Sequence, residues 1–340
     1  MGLTILYEQV IYENNMKSLV NENFYTTIKD YYKLSGDYKE DSRNVNELYK
    51  YLFENDFDPL SHGGHTNLDT TEVDKNICVL NISKGNTKLV WPYLSLPAGY
   101  TCPMATVCKS YAAKPGTKFS DGTSIKGGPE REFMCYAARQ QGQYSPTAGK
   151  NAFSNLTFLQ QAGKNGGVEG MAKLIIDSIK YHGFDKVKVF RIHEGGDFFS
   201  SDYMKAWVMV ANHYSNIIFY THTTSLNFWI SNKGSIPRNM KLIASIDKNN
   251  EHLVMTNNLR YAKVVYSVEE AKELGLKIDY DDTIAAFEDE SFALLIHGQQ
   301  PAGSDASKAV QRNKKTGADK KIKALHKANT DNRNRQLYNS

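Results

Sequence analysis

Hydrophobic positions along the chain follow two periods. Between residues 166 and 183, Val168, Met171, Leu174, Ile175 and Ile179 recur at spacings of three and four. That is one stripe of an amphipathic helix, ended by Gly183. The next stretch, "KVKVFRIH" (186–193), is an apolar run that predicts a buried strand. A helix is predicted over 200–214, with Ser200 or Ser201 as its N-cap. Strands are predicted at 216–223, 241–247, 262–267 and 291–298, separated by a short helix near 225–232 and a helix over 268–275 capped by Ser267. Upstream, 77–83 and 87–96 read as short strands, and 97–149 reads as an irregular region.

Strands that alternate with helices and are apolar on both faces pair in parallel, with helices outside. Roughly five such strands fall between Val187 and His297, which suits a doubly wound sheet or a partial β/α barrel. The expected class is therefore α/β, a partial β/α barrel with parallel strands. Functional residues then belong at the C-terminal ends of the strands, here residues 191–197, 221–224, 245–247 and 297–300. Residues 1–75 carry aromatic and apolar positions at helical spacing and read as a helical N-terminal appendage and linker. The core is expected over 76–305, and a basic tail over 306–340.

Composition narrows the class. With 41% hydrophobic and 23% charged residues in 340, the chain reads as a globular protein rather than a disordered or fibrous one. No apolar run approaches the length of a membrane span, so no membrane association is expected. The first residues lack a basic start and a sustained apolar core, unlike a secretory signal, so a cytoplasmic protein with reduced thiols is expected. The net charge of +4 is uneven: residues 306–340 hold ten Lys/Arg against two Asp/Glu. The body is thus mildly acidic, and the tail is either a solvated helical end or a contact for nucleic-acid phosphates.

Candidate chemistry lies in four places. Cys102 and Cys108 have five residues between them, and Cys135 follows after 26 more, all in the irregular region. Three thiolates can hold an iron–sulfur cluster with one iron open, or zinc if a His or acid completes the set; the alternative is three buried thiols. Cys78, in "ICVLNI", reads as core, and His62 and His65 form a weak metal pair. The second place is "RIHEGGD", where period two puts Arg191 and His193 on one face with Val187 and Val189. Gly195 and Gly196 would let a ligand approach the backbone, and Asp197 would accept hydrogen bonds from an ammonium or ribose hydroxyls. Third is His222, followed by Thr223, Thr224 and Ser225 between a strand and a helix. The fourth is His297 with Gln299, in a turn-rich loop leading to Ser304 and Lys308.

The blocks "SLPAGYTCPMATVC", "CYAAR", "RIHEGGDFFSSDYMKAW", "FYTHTTSLNFW" and "HGQQPAGSDASKA" resemble the phage and plasmid gene product 88 family, over roughly 86–310. That resemblance implies a phage or mobile-element source and no settled activity. More broadly, cysteines after an early strand, then a strand ending in Gly-Gly-acid, are similar to the radical SAM barrel. This likeness implies Cys102, Cys108 and Cys135 as ligands of a [4Fe–4S] cluster, with Gly195, Gly196 and Asp197 contacting the amine of S-adenosylmethionine. The cysteine spacing is wider than in that family, and Asp197 stands where it has Glu. Arg191, His193, His222 and His297 would then orient a substrate at the barrel mouth. Two functions follow as expectations. One is an iron–sulfur enzyme modifying a nucleic acid or another host or phage component. The other is a non-catalytic nucleic-acid-binding protein of phage replication with a structural metal site.

Overall fold

A computed structural model describes residues 79–85 and 89–318. The appendage expected over residues 1–75, His62, His65, Cys78 and the end of the basic tail lie outside the described residues. In chain order the strands are β1 (Ile82–Ser83), β2 (Tyr93–Ser95), β3 (Ser110–Ala112), β4 (Ile125–Gly127), β5 (Val189–Gly195), β6 (Ile218–Thr223), β7 (Met240–Ile246), β8 (Tyr261–Val265) and β9 (Phe292–Leu295). The helices are α1 (Tyr136–Arg139), α2 (Pro146–Tyr181), α3 (Ser201–His213), α4 (Leu226–Asn232), α5 (Glu251–Thr256), α6 (Val268–Glu273), α7 (Thr283–Phe287) and α8 (Asp305–Thr316). A π-helical turn, Gln140–Tyr144, joins α1 to α2.

Helix starts follow local chemistry. Ser145, Ser200, Ser267 and Ser304 each accept a hydrogen bond from the backbone N–H three residues on, capping α2, α3, α6 and α8. The helical segment α2 is broken at Gly167, whose φ of 60° lies outside the helical region.

The main sheet has seven strands in the order β1-β2-β5-β6-β7-β8-β9. Only β1 is antiparallel; β2 and β5 to β9 run parallel, each beside its predecessor in the sheet. Right-handed crossovers that always step the same way return over the same face. The sheet is thus wound in one direction, and the doubly wound alternative does not hold. Its edges, β1 and β9, do not pair, so no closed barrel forms.

The two faces differ. Phe190, Ile192, Phe219, Leu242 and Ala244 join Met171, Ile175, Trp207 and Val254 in the main core, on the face covered by α2, α3 and α5. The opposite face carries Val189, Tyr220, Ile243, Ala262 and Phe292; there the short α7 packs through Ile284, Ala285 and Ala286, and α8 packs at its edge against Val264. The first part of the expected tail is the helix α8, with Ala306, Ala309 and Val310 buried against Ile296. Among the described residues no helix is long and apolar enough to cross a membrane.

Candidate functional site

All three described cysteines lie in the long connection between β2 and α2, and all are free thiols. The connection is pinned by side chains rather than by regular structure. Gln141 accepts from the Ala98 N–H at 2.9 Å and donates to the Leu96 carbonyl at 2.9 Å. Thr106 donates to Asp247 Oδ2 at 2.9 Å, tying the loop between Cys102 and Cys108 to the end of β7. The Ser110 hydroxyl donates to the Cys108 carbonyl at 3.2 Å and accepts from the Cys135 N–H at 3.3 Å, bridging those two cysteines. Gln300 accepts from the Met134 N–H at 2.8 Å, and Arg139 donates to the Gln299 carbonyl at 3.0 Å. The loop after β9 therefore holds the segment that carries Cys135.

The thiols share one electrostatic neighbourhood. Burial first, then the charges of Asp197, Cys135 and Cys108, keep the Cys102 thiol well above its ordinary range. Burial, followed by Cys135, Asp197 and Asp247, pushes Cys108 up to about 12. Cys135 is also raised by burial, partly offset by the N–H groups of Ala138 and Ala137 at the start of α1. Three thiolates so placed repel one another and need a cationic centre to exist together. Among the described residues no group of three or more His, Cys, Asp or Glu is arranged to hold a metal ion. A tetrahedral zinc ion, gripping its ligands at about 2.3 Å, therefore has no ready site there.

Gly195 and Gly196 form the junction between the thiol connection and β5. Leu96 N–H donates to the Gly195 carbonyl at 2.8 Å. A Cβ on Gly195 would lie 2.7 Å from the Ala137 Cβ; one on Gly196 would lie 2.6 Å from both Leu96 Cβ and Thr101 Oγ1. Gly196 also has φ +83°, which favours glycine. The close approach expected of a ligand is made by the chain itself. Asp197 is equally engaged: Oδ1 accepts from Phe198 N–H at 2.7 Å and Thr223 Oγ1 at 2.5 Å, and Oδ2 from Thr224 N–H at 2.8 Å and Thr224 Oγ1 at 2.9 Å. A carboxylate has about four acceptor positions, and all are used. Asp197 locks the end of β5 to the end of β6 and offers no acceptor to a cofactor amine.

The expectation that Arg191 and His193 share a face is overturned. Tyr93 pairs with Arg191 and Ser95 with Gly195, so β5 gains two residues over β2 and the alternation breaks between them. Arg191 reaches the α7 side, donating to Asp282 Oδ2 at 2.6 Å, where the Tyr220 hydroxyl also donates at 2.8 Å. His193 turns to the helix side, with Nε2 3.1 Å from the Tyr203 hydroxyl and its ring edge-on to Phe198. Burial, then the Arg191 charge, lowers His193 to about 3.

His222 lies on the α7 side. Its ring meets Phe292 edge-on, and its buried Nδ1 has no partner. Burial first, then Arg191, lowers it to about 4. Burial would raise Asp282, but the Arg191 charge overrides it and holds the carboxyl below its ordinary range. His297 is exposed, its Nδ1 3.0 Å from the Leu295 carbonyl. It shares no hydrogen bond or ring contact with Arg191, His193 or His222 among the described residues. Arg191 thus reaches both histidines, donating through Nε to the His193 carbonyl at 2.7 Å and acting electrostatically on both rings, which lie on opposite faces of the sheet, while His297 stays apart.

A cleft of about 750 Å³ opens over the α7 face, beside α8, at the C-terminal ends of β6 to β9. Ser245, Ala262, Val264 and Leu294 form its floor, and Val107, Cys108 and Phe133 of the thiol connection overhang it. Its charged lining is Glu132, Asp247, Glu251, Glu270 and Asp305 against Lys248 and Lys263. The cleft thus favours cationic or neutral ligands over phosphates. Sequence reasoning missed Asp282, Tyr220 and Ser110. The acid run "DYDD" (279–282) was the only local signal for the first of these.

The chain matches no curated protein and no solved structure. The family model for gene product 88 matches residues 64–316, well over half of the chain. This span takes in the thiol connection, every strand of the sheet and α8. The chain belongs to the gene product 88 family.

Proposed function

We propose that this protein is an iron–sulfur enzyme with a radical-SAM-like, one-way-wound β/α core, acting on a cationic or neutral substrate in the acid-lined cleft. The observation that carries the reading is the placement of three free thiols, Cys102, Cys108 and Cys135, in one connection that is pinned to the C-terminal edge of a parallel sheet wound in chain order. The thiol connection follows the first parallel strand and closes on Gly195–Gly196 of the second, the placement the radical SAM resemblance implies.

The donor set fits a sulfide-bridged cluster in kind: it is all sulfur, unpaired in disulfides and in need of positive charge. When bound, such a cluster supplies one-electron chemistry and an iron open to a ligand. Cys102, Cys108 and Cys135 would hold it. Cys108 borders the cleft, so a cluster held by these thiols would lie beside the substrate site. Arg191 is held by Asp282 and tunes His222, which keeps a neutral imidazole with a free Nδ1 at neutral pH. Asp197 positions the strand ends and does not hold S-adenosylmethionine.

Reconstitution with iron and sulfide under anaerobic conditions tests the proposal. The wild type should develop a broad thiolate-to-iron absorption, and C102S, C108S and C135S should each lose most of it. Unchanged spectra in all three variants would reject the ligand set.

A second reading rests on α8, where Lys308, Arg312 and Lys315 are exposed on one side of the helix. They give the alternative expected from the basic tail, nucleic-acid binding, a surface outside the acidic cleft. Replacing Arg312 and Lys315 with Ala should lower the salt dependence of any DNA or RNA binding; unchanged binding excludes this surface.

A further inference from the structure

A second pocket, of about 460 Å³, lies at the β1 edge of the sheet, apart from the acid-lined cleft. Amide and hydroxyl side chains, among them Asn81, Ser95, Asn151 and Asn155, share its wall with Ile82, Tyr93 and Ala148. Asn155 is fully used within the chain: it accepts from the Asn81 N–H at 2.7 Å and donates to the Asn81 and Ser95 carbonyls at 3.0 and 3.1 Å. Among the described residues Glu194 is the pocket's one carboxylate, and no Lys or Arg lines it. His182, also in the wall, has its pKa lowered by burial and adds no positive charge at neutral pH.

Two acceptors in this wall are left over. Glu194 Oε2 takes the Ser95 hydroxyl at 2.7 Å, but Oε1 is buried without a hydrogen-bond partner. Gln140 Oε1 is in the same condition. Gln140 opens the π-helical turn, a departure from α-helix that re-aims side chains and recurs at binding sites. The Tyr136 side chain stands beside that carboxylate and hydrogen-bonds it, and Arg191 faces it across the strand. The carboxylate oxygen Glu194 Oε1 and the amide oxygen Gln140 Oε1, both buried and unpartnered on one wall, fit a ligand that brings several N–H donors.

We propose that this pocket binds a small primary-amine ligand, whose ammonium donates to Glu194 Oε1 and Gln140 Oε1. The volume exceeds that of an ammonium ion, so the amine carries a short polar body that meets the amide and hydroxyl wall. This site stands independently of whether the thiols carry a cluster.

The test is calorimetric titration of the full chain with ethanolamine hydrochloride and, at matched ionic strength, tetramethylammonium chloride, which has the charge but no N–H. Ethanolamine should give a saturable heat at one site per chain. Glu194→Gln should weaken it by about tenfold or more, and Asp305→Asn, in the other cleft, should leave it unchanged. Gln140→Ala gives the same reading if Glu194→Gln does not fold. No saturable heat, an equal response to tetramethylammonium, or loss in Asp305→Asn with retention in Glu194→Gln would overturn the proposal.

Discussion

Thr224 donates to Asp197 twice, through its backbone N–H at 2.8 Å and its hydroxyl at 2.9 Å, both to Oδ2. With Thr223 and the Phe198 N–H on Oδ1, this contact joins two neighbouring strand ends beneath the thiol connection. An amide cannot replace the carboxylate: one side of Asn would turn an N–H₂ toward donors. Asp197→Asn is expected to lower stability by about 2–4 kcal/mol, read by urea denaturation. A change under about 0.5 kcal/mol would contradict the lock.

The two positive-φ glycines Gly196 and Gly298 separate backbone strain from crowding. At Gly298 a Cβ meets nothing within 4 Å, whereas at Gly196 it meets Leu96 and Thr101 at 2.6 Å. Gly298→Ala should cost about 1 kcal/mol. Gly196→Ala should cost several times more or prevent folding, and equal thermal unfolding of the two variants would contradict this packing.

The strand pattern in the sequence carried most of the fold. The alternation of "KVKVFRIH" and its successors placed β5 to β9 and their functional ends, because strands buried on both faces leave continuous apolar runs. What escaped was non-local. The extra residues in β5 are visible only against β2, so period two wrongly put His193 beside Arg191. Asp282, 91 residues from Arg191, is marked locally only by the acid run "DYDD", which says nothing of its partner. The glycines of "EGGD" signalled close approach correctly, but the neighbour is Leu96, Thr101 and Ala137 rather than a ligand. The direction of winding needed the pairing order, since strand periodicity is the same in one-way and two-way sheets.

Asp279 makes stability depend on pH. Burial pushes its carboxyl from 3.8 up to about 6. A folded pKa above the unfolded one favours the protonated acid in the fold. Its contribution is therefore full below about pH 4 and is lost as pH rises through about 6. A shift of that size is worth roughly 3 kcal/mol at most. Asp279→Asn keeps an acceptor for the Ala285 N–H, so it should be the more stable protein at pH 7 and lose that advantage at pH 4. Parallel stability curves for the two proteins would refute the assignment.

Gln300 acts on the thiols at a distance, by accepting from the Met134 N–H. Gln300→Ala should speed amide exchange at residues 134–138 by about tenfold, with little effect on exchange in β6 or β7. It should also shorten the lifetime of bound iron in air. Exchange unchanged at those amides would remove Gln300 from the support of Cys135.

The central claim is that Cys102, Cys108 and Cys135 form a cluster centre, and its most direct test is iron and acid-labile sulfide per chain in protein purified without oxygen. The account predicts close to four of each for a cubane cluster, falling to near zero in a triple Cys→Ser variant that still folds. Protein that stays colourless, with neither iron nor sulfide after reconstitution, would contradict it.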